Sequence, residues 1–130
     1  MPKKKIENRE DVFLLVSSFY KKVRKDALLG PIFNTHINDW DHHLQHLTDF
    51  WEGNLFFIKQ FEGNPLKKHI EVDQKEGHTI EAQHFGVWLH LWFQTIDELF
   101  EGENAYIAKN RARKMGTFFH LNIFQARQQK

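Results

Sequence analysis

The sequence predicts an all-α domain, and three observations carry that prediction. Apolar residues recur at the three- and four-residue spacing of a helix face through most of the chain. No stretch alternates with the two-residue period of a strand. Breakers and caps fall between the periodic segments, as at Gly30-Pro31, Asn64-Pro65 and Gly102. At 130 residues the chain has the length of one domain and can bury roughly two thirds of its unfolded surface.

Each element has a local reason. Over residues 9–25, Val12, Phe13, Val16, Phe19, Tyr20 and Val23 share one helix face. Gly30 and Pro31 end that pattern, and "PIFN" reads as a short helical turn. The next helix starts near Asn38 or Asp39, either of which can cap it, and runs to about Lys59. Its stripe is Trp40, Leu44, Leu47, Phe50, Trp51 and Leu55. After the loop "FEGNP", Asn64 and Pro65 are a cap and first-turn pair for a short helix. A polar stretch follows, and Thr79 can cap a helix whose stripe is Phe85, Trp88, Leu89, Trp92, Ile96, Leu99 and Phe100. Gly102 ends it. The last helix covers 104–125, with Ile107, Ala108, Arg111, Met115, Phe118 and Phe119 on the inner face or its margin. The domain therefore spans 9–126, between a flexible basic tail over 1–8 and a polar tail over 127–130.

Charge is close to balance, with 18 basic and 17 acidic residues, which argues against binding nucleic acid or a membrane surface by bulk electrostatics. Cysteine is absent, so there is neither a disulfide frame nor a thiolate metal site. No apolar run approaches the ~20 residues of a membrane span and no signal-peptide pattern is visible, so the expectation is a soluble cytoplasmic protein. The 13 Phe, 4 Trp and 9 His are a large share for a small domain. Aromatics fill cores, and they also surround flat apolar cofactors.

The segment "NDWDHHLQHLTDFW" packs His42, His43 and His46 into little more than one helical turn. On a helical wheel His43 lies roughly 60° from the centre of the apolar face, His46 roughly 120° and His42 roughly 160°. Only His43 can reach an interior. Tyr20 and Trp88 stand inside the apolar stripes of two other helices, so the hydroxyl and the indole N–H each need a partner. Three polar groups converging from three helices would make a pocket for a polar ligand in an apolar setting. His69, on the short helix after Pro65, is either a rigidly presented ligand or a surface histidine beside Lys67 and Lys68; spacing leaves both readings open. So do two other functional classes. A non-haem metal site could use His42, His43 and His46 with a carboxylate such as Asp49, given partners from other helices. A helical interaction module would need no cofactor.

Four blocks, in this order and spacing, resemble one family: "FYKKVRKDALLGPIFN" (19–34), "DFWEGNLF" (49–56), "GNPLKKH" (63–69) and "HFGVWLHLWFQTIDELFEG" (84–102). The chain is similar to the third group of bacterial truncated haemoglobins over about residues 9–120. The resemblance implies a globin-like two-over-two helical sandwich around one haem b (iron protoporphyrin IX). It makes His69 the proximal iron ligand and Tyr20, His43 and Trp88 the distal residues. It sets Phe33 against the haem plane. Phe19, Leu47, Phe50, Trp51 and Phe85 can complete the apolar slot, and Lys68, with Lys67 or Arg111, can meet the propionates. Two features depart from the family pattern: the long polar stretch "IEVDQKEGH" after His69, and Phe61 where a tyrosine would be expected.

The implied function is binding of a diatomic ligand (O2, CO or NO), with redox chemistry on oxygen, nitric oxide or peroxide as an extension of it. Peroxidase-like or nitric oxide dioxygenase-like activity stays open, with an unidentified reductase as a candidate partner. The chain is expected as a monomer or weak oligomer, and the charge balance and lack of a membrane span predict no nucleic acid or membrane as partner.

Overall fold

The structure is a computed structural model that describes residues 3–56, 70 and 82–128, with side chains over 3–56, 70 and 83–117. Among these residues the helices are α1 (Arg9–Lys25), α2 (Gly30–His36), α3 (Trp40–Phe56), α4 (Ala82–Leu99) and α5 (Glu103–Gln128). The only extended pairing among them is an isolated bridge between Lys4 and Phe100. None of the helices is long and apolar enough to cross a membrane. The short helix expected after Pro65 and the Thr79 cap lie outside the described residues, apart from Ile70, which is helical.

Local chemistry sets the helix ends. Asn8 caps α1 by accepting from the Asp11 N–H at 3.0 Å, and Asp11 reaches back to accept from the Glu7 N–H at 2.9 Å. Asp39, the second of the two expected caps, accepts from the His42 N–H at 3.1 Å and starts α3. Gly102 turns the chain between α4 and α5 at a φ of 100°, a conformation that glycine adopts without strain. Gly30 opens α2 for a different reason: a Cβ there would lie 2.7 Å from the Arg24 carbonyl oxygen, so only glycine lets α2 fold back this closely on the end of α1.

The pair α1/α3 packs over the pair α4/α5, with α1 against α4 and α3 against α5, and α2 rests on α1. This is a globin-like two-over-two sandwich. Its core is Val12, Leu15, Val16, Phe19 and Val23 of α1, Trp51 and Leu55 of α3, Trp92 and Ile96 of α4, and Ala105, Ala108 and Ala112 of α5. Small residues on α5 let α4 come close, and the Trp92 indole N–H donates to the Ala108 carbonyl at 3.1 Å. Trp51 stacks on Trp92 at 4.6 Å between ring centroids, joining the two layers.

Some sequence expectations are corrected. Phe13 and Arg111 are exposed rather than inward, while Leu15, Thr48 and Glu52 are buried. Residues 4–8, expected as part of a flexible tail, dock on the domain. Ile6 is 1% exposed, its carbonyl accepts from Asn104 at 2.7 Å, and the Lys4 carbonyl accepts from the Glu101 N–H at 2.9 Å. At the far end α5 runs to Gln128.

Candidate functional site

Tyr20 lies near the end of α1, within the same stripe as Val16 and Val23, and this register carries its phenol into the interior. Around it stand Phe19 at 4.8 Å, Phe33 of α2 at 5.8 Å, Trp40 at 5.8 Å and His43 at 5.5 Å, all between ring centroids. The His43 imidazole is edge-on to two rings at once: its plane makes 85° with Tyr20 and 90° with Trp40, the latter at 5.6 Å. Trp88 enters from α4 across Phe19, whose ring it meets at 5.6 Å and 88°.

Burial sets the electrostatics. Loss of water pushes the Tyr20 phenol well above its ordinary pKa, and a hydrogen bond from the Trp88 indole pulls in the opposite direction. The phenol therefore stays protonated, and its O–H can donate. His43 is pushed down from 6.5 to about 4, first by burial and then by the like charges of His46 and His42, so it is neutral near pH 7. Its Nε2 is buried without a hydrogen-bond partner. A hydroxyl donor, an indole and a neutral imidazole thus converge from α1, α4 and α3 inside an aromatic lining. Such a pocket can hold a small polar ligand away from water.

The three helical histidines separate as the wheel orders them. His42 is exposed, His46 is half-buried and stacked on His42 at 6.1 Å, and His43 alone reaches the interior. Phe33, Leu47 and Phe50 are half-buried against the core, and Trp51 is core itself, stacked on Trp92. Phe85 is half-buried on the side of α4 that faces Gly116 of α5. His69 and Lys68 lie outside the described residues. The alternative site of His42, His43, His46 and Asp49 does not assemble: among the described residues no three His, Cys, Asp or Glu side chains come together to hold a metal ion. Asp49 is instead paired with Arg9 at 2.6 Å. Sequence reasoning missed Arg24, whose guanidinium lies 4.4 Å from the Trp40 ring centroid. It also read Trp40 only as core. The one local signal was that Trp40 precedes His43 by three residues and so shares its helix face.

No family model matches the sequence. The chain is 30% identical over 122 residues to a group 3 truncated haemoglobin of Campylobacter jejuni, covering 91% of this chain and 92% of that protein. Its fold matches the crystal structure of a group III truncated haemoglobin from Campylobacter jejuni with a TM-score of 0.83 and 31% identity, covering 94% of this chain and 95% of the other. Fold and sequence agree over nearly the whole length of both chains: this chain belongs to the group III truncated haemoglobins.

Proposed function

We propose that this protein binds haem b and, on it, a diatomic ligand, dioxygen first, in the pocket of Tyr20, His43 and Trp88. The buried, unpartnered Nε2 of His43 carries the reading. Leaving a polar atom dry and unsatisfied costs about 1–3 kcal/mol, which a ligand from outside the chain would offset. The lining suits the cofactor. Phe33, Phe50 and Trp88 are half-buried rings that can meet a flat apolar group, with Leu47 half-buried like them and Phe19 and Trp51 in the core they pack against. The chain has no cysteine for a covalent thioether link, which favours haem b. His69 would hold the iron and Lys68 would meet a propionate.

Bound haem supplies an iron with one coordination position open to a diatomic ligand. The chain does the rest. The aromatic lining excludes water. The Tyr20 hydroxyl donates to a polar ligand, and Trp88, by donating to the Tyr20 oxygen, orients that hydroxyl and strengthens its donation. His43 in its Nε2–H tautomer adds a second donor. Because His43 is a weak base at a pKa of about 4, it is a poor proton acceptor for peroxidase-like turnover, and ligand binding stands ahead of that reading. Redox chemistry on oxygen or nitric oxide, with an external reductase, is compatible with the same donors.

Absorption spectra of the ferric, ferrous and CO-bound forms test the proposal. The wild type should take up haem and show a Soret band that shifts with CO. His69→Ala should lose haem affinity and regain part of the spectrum with added imidazole. No haem uptake by the wild type rejects the reading; an unchanged CO spectrum and affinity in His69→Ala reject His69 as the iron ligand.

A further inference from the structure

His43 sits in the first turn of α3, where helices fray, and something must keep its imidazole from turning out to solvent. Tyr20 packs on it at 5.5 Å. Trp40 packs beside Tyr20 on the same imidazole, at 5.6 Å and 90°, but Trp40 is the first residue of α3 and half-buried. Its indole would be mobile unless held from outside. Arg24, in the last turn of α1, lies over that indole at 4.4 Å. An exposed arginine is normally mobile too, and this one is held through Asn34, which is itself fixed to the backbone of α1. The Arg24 Nε donates to Asn34 Oδ1 at 3.2 Å, and Asn34 Nδ2 donates back to the Arg24 carbonyl at 3.3 Å. The chain of contacts runs from α2 through α1 to the start of α3 and ends on the pocket histidine.

We propose that Arg24 and Trp40, braced by Asn34, are positioning residues that hold the His43 imidazole inside the pocket and thereby limit the rate at which a ligand enters. The part concerning ligand entry rests on the haem reading above; the part concerning the imidazole does not. A planar guanidinium suits the role because it stacks on an indole face while its edge bonds Asn34, which an ammonium cannot do.

Two measurements test it. The first is CO recombination after flash photolysis of the haem-loaded protein. Arg24→Met should raise the bimolecular association rate by roughly threefold to tenfold, the range that loss of a partly exposed cation–π contact allows. Arg24→Lys and Asn34→Ala should act in the same direction but less. In a His43→Ala background Arg24→Met should have no further effect, because nothing remains to be held. An unchanged rate, or the same increase with His43 absent, overturns the proposal. The second measurement is the nuclear Overhauser contact between the His43 and Tyr20 rings. It should weaken in Arg24→Met while amide shifts in α4 and α5 stay as in the wild type; persistence at full strength overturns the proposal. If the wild type takes up no haem, the haem reading fails, and the second measurement still decides what Arg24 does.

Discussion

A phenol inside an apolar stripe has given up its water and must recover a partner or lose stability. At Tyr20 the Trp88 indole partly offsets that loss, and the phenol keeps its own proton to give. Dioxygen is a good acceptor for that proton and carbon monoxide a poor one. Tyr20→Phe keeps the ring that packs against Phe19, Phe33 and His43, so it removes the donor with little change of shape. Oxygen dissociation measured by stopped flow should quicken by about tenfold for each ~1.4 kcal/mol of lost hydrogen bonding, with a much smaller change for carbon monoxide. Trp88→Phe should act in the same direction through Tyr20, so the double variant should release oxygen about as fast as Tyr20→Phe alone. Unchanged oxygen release in both single variants would mean that these residues do not hold the ligand.

At the scale of elements, two contacts govern how the helices meet. Arg9, the first residue of α1, donates to Asp49 at 2.6 Å, to Glu52 at 3.0 Å and to Gln45 at 3.0 Å, clamping α1 along one side of α3. The Glu52 side chain is only 9% exposed, so it depends on that guanidinium. Arg9→Met should cost about 1–3 kcal/mol by leaving the carboxylate partly buried and unpaired. Adding Glu52→Met should restore part of the loss, which urea unfolding of the three variants would read. The other contact is at Gly30. An alanine methyl 2.7 Å from a carbonyl oxygen in the backbone of α1 has no flexible neighbour to push aside. Gly30→Ala should cost about 1–3 kcal/mol and lower the thermal midpoint by several degrees, and because α2 carries Phe33 and Asn34 the displacement should reach the pocket.

The whole molecule is closed by its N-terminal segment, which ties α1 to the α4–α5 turn through Ile6, Lys4 and Asn104. Ile6→Ala should therefore destabilise the domain by about 2–4 kcal/mol in a denaturant titration, as for a core position. Acid stability should fall in two windows. His43 is neutral when folded but takes up a proton on unfolding below 6.5, so the stability it supports is complete above 6.5 and is lost as pH falls toward about 4. Burial raises the Asp11 carboxyl, but the Glu7 and Asn8 backbone N–H groups and the Lys4 ammonium outweigh it and hold it below 3.8. That contribution is present above 3.8 and is lost at lower pH. His43→Gln should flatten the upper window only, and Asp11→Asn the lower one, in unfolding curves taken across pH.

Periodicity and capping made the local structure legible in the residues. α1 spans the residues that the stripe marks, α3 starts at one of its two candidate caps, and the wheel separates His43 from His42 and His46. These are local properties: a repeat near 3.6 residues decides which side of a helix is apolar whatever it packs against. Which faces meet, and at what register, follows from how the helices pack. Phe13 and Arg111 lie at the margins of their stripes and are exposed. Thr48 and Glu52 are buried because α1 crosses α3 there; Thr48 turns its hydroxyl onto the Leu44 carbonyl, and Glu52 meets Arg9. The docking of residues 4–8 and the contact of Arg24 with Trp40 likewise join residues from separate elements. No spacing within one helix encodes such pairings, since they depend on crossing angles and on which side chains fill the space between helices.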